Sequence, residues 1–132
     1  METITVRSKE RMEMVDITPQ VAEVLARAAL GKGACLVYVP HTTAAVTVNE
    51  GADPDVCRDI LESLSRLVPR KGGYHHGEGN SDSHILTSLV GSSQLIPVEA
   101  GKLVLGTWQK IFLCEFDGPR TRNVWVQLLG VS

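Results

Sequence analysis

The sequence predicts a single α+β domain in which two main helices and one short helix pack on a mostly antiparallel sheet. Three observations predict it. Two segments place apolar residues at helical spacing directly behind a proline start signal. Seven short runs rich in β-branched and aromatic residues read as strands, and the last third of the chain is nearly all strand. The chain has 132 residues, a length that one hydrophobic core usually serves, so 1–132 is taken as one domain.

Residues 3–7 alternate in polarity as a strand does, and residues 10–17 read as the strand that partners it. Asp16-Ile17-Thr18-Pro19 then announces a helix. Thr18 can cap it, and Pro19 suits the first turn, where its missing N–H would be unpaired anyway. Val21, Val24, Leu25, Ala28 and Ala29 form one apolar stripe, which Gly31 and Gly33 end. Residues 36–39 make a short apolar strand. Pro40-His41-Thr42-Thr43 interrupts it, and 44–48 resumes strand character.

Asp53-Pro54 repeats the cap-plus-proline signal for a second helix carrying Val56, Ile60, Leu61, Leu64 and Leu67 and closed by Pro69. Residues 72–82 are rich in Gly, His, Asn and Ser with almost no aliphatic side chain, the mark of a functional loop. Asp82 or Ser83 can cap a short helix through Ile85, Leu86 and Leu89 that stops at Gly91. The strands 94–98, 103–116 (broken near Gly106) and 124–129 follow. Their nearly continuous apolar runs predict a sheet covered on both faces.

Composition excludes several function classes. The formal charge is 13 − 15 = −2, and the basic residues form no stripe, so nucleic acid is not an expected partner. No run approaches the roughly 20 apolar residues of a membrane span. The charged amino terminus is unlike a signal peptide. Cys35, Cys57 and Cys114 are odd in number and lie among apolar neighbours, which predicts buried, reduced thiols and a cytoplasmic protein.

All four histidines fall in or beside irregular segments: His41 after a strand, His75 and His76 in the glycine-rich loop, His84 near a helix start. Neutral imidazole is the commonest metal ligand. Three protein ligands leave a fourth position on zinc open for water or substrate. There is no His-x-x-x-His pair on a helix and no Cys-x-x-Cys, so spacing alone does not single out a site. Glu78 and Asp82 lie between the histidines as candidate general bases or partners of a bound imidazole, or simply as solvated loop and cap residues. Asn49 precedes the second helix, whose first N–H groups suit an anion, although Asp53 competes for them. Glu115 sits in a run too apolar for a casual charge, so an ion pair with Arg120 or Arg122 is expected. Trp108 beside Gly106 reads most simply as a core tryptophan next to a bulge.

Several multi-residue motifs, in order over nearly the whole chain, resemble the YjbQ-like (secondary thiamine-phosphate synthase) family. They are His41-Thr42-Thr43-Ala44-Ala45, Asn49-Glu50-x-x-Asp53-Pro54, Tyr74-His75-His76 with Gly77-Glu78-Gly79-Asn80-Ser81-Asp82-Ser83-His84, Ser88-Leu89-x-Gly91-x-Ser93, Gly106-Thr107-Trp108-Gln109-x-Ile111, and Glu115-Phe116-Asp117-Gly118-Pro119-Arg120. The resemblance implies a homotrimer with its site facing a subunit interface. It implies a divalent metal, most plausibly zinc, held by His41, His76 and His84, with His75 as the alternative to His76. On the leading hypothesis Glu78 or Asp82 is catalytic, orienting a ligand or moving a proton, and Asn49, Thr107, Trp108, Gln109 and Arg120 shape the substrate pocket. The expected function is a metal-dependent enzyme acting on a phosphorylated or anionic small molecule, with thiamine-phosphate synthase activity as a secondary reaction. The alternative is a non-catalytic trimer that binds a metal or small anion.

Overall fold

The computed structural model describes residues 1–131 of the chain. In order these form β1 (Glu2–Arg7), β2 (Glu13–Asp16), α1 (Thr18–Ala28), β3 (Gly33–Tyr38), β4 (Ala44–Glu50) and α2 (Pro54–Leu67). They continue with α3 (Ser81–Val90), β5 (Ser93–Glu99), β6 (Lys102–Leu103), β7 (Gln109–Glu115) and β8 (Thr121–Gly130). The α+β class predicted from sequence is the one observed. The strands make two antiparallel sheets, β1-β8-β3-β5-β6 and β2-β7-β4. No described helix is long and apolar enough to cross a membrane.

Residues 10–17 are not the partner of β1. β1 pairs with β8, Ile4 opposite Val124, whereas β2 pairs with β7, Val15 opposite Leu113. The chain crosses between sheets at Ser8, whose hydroxyl donates to Glu115 Oε1 at 2.7 Å and whose N–H donates to the Arg120 carbonyl at 2.9 Å. Two tight anchors on the far end of the chain leave no room for a simple hairpin.

Thr18 does not cap α1 with its side chain. Its hydroxyl accepts the Ile111 N–H at 2.8 Å, next to the Ile17 N–H bonded to the Ile111 carbonyl at 2.9 Å. The β2–β7 ladder thus continues into the helix start, and Asp16 takes over by accepting the Thr18 N–H at 2.9 Å. Asp53 does cap α2, accepting the Asp55 N–H at 2.9 Å, which occupies a donor that an anion there would need.

One core lies between the inner faces of both sheets and the Val21–Val24–Leu25 stripe of α1. A second cluster, built on Ala45, Leu86, Cys114 and Phe116, fills the space between the three-stranded sheet and α2 and α3. The three-stranded sheet is therefore covered on both faces, and β7 runs buried from Ile111 to Glu115 as the continuous apolar pattern predicted. The five-stranded sheet behaves differently. β1, β5 and β8 alternate between buried and exposed positions, because only one face has a covering layer.

The thiols follow this layering. Burial pushes the Cys35 thiol up to about 11 and the Cys114 thiol up to about 12. Cys57 on α2 is only half-buried, unlike its expected core position. Thiolate, not thiol, reacts. Iodoacetamide at mild alkaline pH should label Cys57 alone in the native protein, with Cys35 and Cys114 labelled only in denaturant; mass spectrometry of the peptides reads this directly.

Candidate functional site

The segment from Glu115 to Arg122 joins β7 to β8 and is tied to Thr43, two residues from His41. Glu115 is fully buried and receives Arg122 Nε at 2.8 Å and Arg122 Nη2 at 2.5 Å. The same Nη2 donates to the Thr43 hydroxyl at 2.8 Å and the Thr43 carbonyl at 3.2 Å. Of the two expected partners of Glu115, then, Arg122 is the real one. Burial alone would raise the Glu115 carboxyl, but hydrogen bonds from Arg122, Ser8 and the Asp117 N–H outweigh it and hold the group below its ordinary value. Arg120 instead reaches Asp117 Oδ2 at 2.9 Å and the Asp117 carbonyl at 2.8 Å, with its side chain half exposed.

Gly118 sits where this segment touches the β1–β2 crossing. A Cβ there would overlap the Glu10 carbonyl oxygen and press on the Ser8 hydroxyl and Glu115 Cγ. Gly118→Ala should cost about 1–3 kcal/mol of stability by overpacking. A lowered urea midpoint with an unchanged slope would show it.

On this base stand the histidines. His41 follows β3 and Pro40, and its Nε2 accepts the Asn123 N–H of β8 at 2.9 Å. Its imidazole is held below the ordinary histidine value, first by burial and then by the Arg122 charge. His84 sits on the first turn of α3. The rings of His76 and His84 meet edge to face, with centroids 5.5 Å apart and planes at 85°. His76 Nε2 is 3.8 Å from Glu78 Oε2, and the Glu78 carboxylate is otherwise open to solvent.

Two hollows adjoin at His84. One, of about 440 Å³, is lined by Gly73, Tyr74, His75, His76, Ser81, His84 and Ile85. The other, of about 330 Å³, lies between His41–Thr42 and the α3 side chains His84, Thr87 and Ser88, and is completed by Gly91 and Ser92. The hydroxyl of Thr87 is buried and has no hydrogen-bond partner among the described residues. Of the paired loop histidines, His76 is the one whose ring stands against His84; His75 lines the same hollow.

Two imidazoles bound to one tetrahedral zinc, at about 2.0–2.1 Å per Zn–N bond, keep their ring centres roughly 5 Å apart. The His76–His84 pair fits that spacing. His41 does not join them. Among the described residues, no three His, Cys, Asp or Glu side chains gather closely enough to hold an ion.

The remaining candidates divide. Asp82 is buried and takes Arg11 Nη1 and Nη2 at 3.2 and 3.1 Å, so it ties α3 to the β1–β2 crossing. Neither Asp82 nor Ser83 caps α3, because the Ser83 hydroxyl donates to the Phe116 carbonyl at 2.6 Å. Asn49, Thr107, Trp108 and Gln109 lie at the other end of the three-stranded sheet. Asn49 is five residues along β4 from Ala44, or about 17 Å at the usual strand rise. Gln109 accepts the Gly106 N–H through its Oε1 at 2.7 Å. Trp108 is not a core tryptophan: it is 62% exposed, and its carbonyl accepts the Gly51 N–H.

Thr42, Thr87, Ser88, Ser92 and Asn123 were not candidates from sequence, yet they line or fix the hollow. Asn123 acts through its backbone N–H, and no residue pattern advertises such a contact. The hydroxyl spacing Thr87-Ser88 on a helix, with Ser92 after Gly91, was the available signal for the others.

Comparison with known proteins settles what kind of chain carries this arrangement. The family model for UPF0047 protein YjbQ-like matches residues 2–131. The chain belongs to that family. It is 49% identical to UPF0047 protein MJ1081 of Methanocaldococcus jannaschii over 125 residues, covering 95% of this chain and 91% of that protein. It is 45% identical to UPF0047 protein YugU of Bacillus subtilis over 131 residues, 98% of this chain and 99% of that one. Among solved structures, a YjbQ/UPF0047-family protein from Clostridium acetobutylicum, described as uncharacterized, superposes with a TM-score of 0.96 at 46% identity, covering 98% of this chain and 100% of its own. The hypothetical protein APE1520 from Aeropyrum pernix superposes with a TM-score of 0.93 at 42% identity, covering 99% and 100%. The family and the fold are thereby shown, and neither description names an activity.

Proposed function

We propose that the protein is a metal-dependent enzyme acting on a phosphorylated or otherwise anionic small molecule, with His84 at the centre of its site. One observation carries the reading: His84 stands against His76 on one side and lines a hydroxyl-bearing hollow on the other. In this reading His76 and His84 are two ligands of a divalent ion, and the imidazole donors favour zinc. When bound, such an ion polarises a phosphate oxygen or brings the pKa of its water to about 7. Glu78, open and close to His76, serves as the proton carrier.

The third ligand and the far wall come from a second copy. Support lies on the outer face of the five-stranded sheet, where Tyr38, Leu95 and Leu129 are exposed and Leu36 and Trp125 half-buried. Monomers rarely leave so continuous an apolar face in water. Within one chain Trp108 and Asn49 stand away from the histidines, so only a neighbouring copy can bring them together. A homotrimer meets that need, and thiamine-phosphate synthesis would be a secondary reaction of the assembled site.

Purified protein should carry close to one divalent ion per chain, and His76→Ala and His84→Ala should each deplete it. Thiamine phosphate formation from its pyrimidine pyrophosphate and thiazole phosphate precursors should fall with the ion. Equal turnover by the wild type and the double variant would place that activity elsewhere. A non-catalytic binding role is the second reading, favoured by the engagement of Asp82 with Arg11, which leaves Glu78 as the loop's one open carboxylate. Glu78→Gln separates the two: an enzyme loses turnover at constant affinity, whereas a pure binder has no turnover to lose.

A further inference from the structure

His41 stands on the wall shared by two hollows. One faces His84; the other, of about 380 Å³, is lined by Tyr38, Pro40, Ser92 and Trp125. Its Nε2 accepts the Asn123 N–H at 2.9 Å. A backbone N–H can only donate, so Nε2 must present its lone pair there. A neutral imidazole carries one N–H, and with Nε2 accepting, that hydrogen sits on Nδ1. A metal ion needs a free lone pair on the atom that binds it. The lone pair of Nε2 is taken, and protonated Nδ1 has none.

We infer that His41 is a neutral hydrogen-bond donor, through Nδ1–H, to the anionic group of the ligand, and is not a ligand of the metal ion. The inference rests on the anion-binding reading above and divides that site in two. The cation belongs to His76 and His84, and the hollow between His41 and α3 takes phosphate oxygens. The groups around the ring agree. Burial of the ring disfavours an imidazolium, and so does the charge of Arg122, which is locked to Glu115 and Thr43. In the same hollow Ser88 gives its proton to the His84 carbonyl at 3.0 Å, leaving Thr42 and Ser92 as hydroxyls that can donate. The unpartnered Thr87 hydroxyl lies in the adjoining wall.

Long-range ¹H–¹⁵N correlation of the histidine side chains in the wild-type protein tests the tautomer without any substitution. His41 should show a protonated Nδ1, and one equivalent of zinc should leave its two nitrogens unshifted while moving those of His76 and His84. In calorimetry with inorganic phosphate, His41→Ala should weaken binding about tenfold, the loss expected for one hydrogen bond to a charged group. Its zinc content should stay at the wild-type level. His41→Asn, which places an amide N–H near the position of Nδ1, should recover part of the affinity. A protonated Nε2, a zinc-induced shift at His41, or zinc loss in His41→Ala would each overturn the inference. Phosphate binding by the wild type that His41→Ala leaves intact would overturn the inference alone. A wild type that binds no phosphate would bring down the anion-binding reading and the donor role together.

Discussion

Glu115→Ala is expected to lower the unfolding free energy by about 3–5 kcal/mol, the usual cost of removing one partner from a buried ion pair. The large value follows from what is left behind. Arg122 is almost fully buried, and its guanidinium would retain only the Thr43 oxygens as partners. The Asp117 N–H would lose its acceptor as well, and the Ser8 hydroxyl would keep only the Arg120 carbonyl. Replacing both charges by apolar side chains, as in Glu115→Leu with Arg122→Met, should cost less than either single change, because no uncompensated charge stays inside. Urea unfolding of the wild type, Glu115→Leu, Arg122→Met and the double variant forms a double-mutant cycle that measures the coupling.

The same carboxylate sets an acid limit. Its folded value lies below the ordinary 4.5, so the stability it contributes is present above about 4.5 and is lost as pH falls through the folded value. The wild type should therefore lose stability on acidification below that point more steeply than Glu115→Gln does. The stability of the Gln variant should be lower near neutrality and flatter in acid. Parallel curves for the two proteins would mean that Glu115 does not titrate as its surroundings require.

His84→Ala should have the second large effect, and on binding rather than stability. It removes a proposed ion ligand, and even an outer-shell change commonly costs 10–100-fold in metal affinity, so a loss of at least about 100-fold is expected. The same substitution strips one wall from the hollow beside His41, so phosphate affinity should fall too. His75→Ala is the natural control. It lines the outer hollow, but its ring is not the one packed against His84. Zinc affinity by competition with a chromophoric chelator distinguishes them, and equal losses in the two variants would contradict the assignment of His76.

Much of the fold was legible because its signals are local. The α2 start at Asp53-Pro54 needs only a cap and a proline within two residues, and it appears where expected. The continuous apolar run from Ile111 to Glu115 announced a strand covered on both faces, and it is one. The pairing of β2 was not legible, because it depends on where Ser8 is anchored, across 107 residues, by Glu115. The site divides in the same way. The histidine loop stood out by composition, and the structure brings His76 to His84. Asp82 looked like a base because its neighbours are histidines, yet its partner is Arg11, 71 residues away. Trp108 looked like core because tryptophan usually is, but the turn that carries it projects from the sheet end and leaves the ring in solvent.

The central claim, that His84 joins a cation half of the site to an anion half, is tested most directly by anomalous diffraction at the zinc edge. Crystals grown with zinc and phosphate should show one strong peak per chain, at about 2.0–2.1 Å from an imidazole nitrogen of His76 and of His84. Phosphate density should then lie in the hollow beside His41, with no bond from that ring to the ion. A peak coordinated by His41, or zinc bound away from the His76–His84 pair, would contradict it.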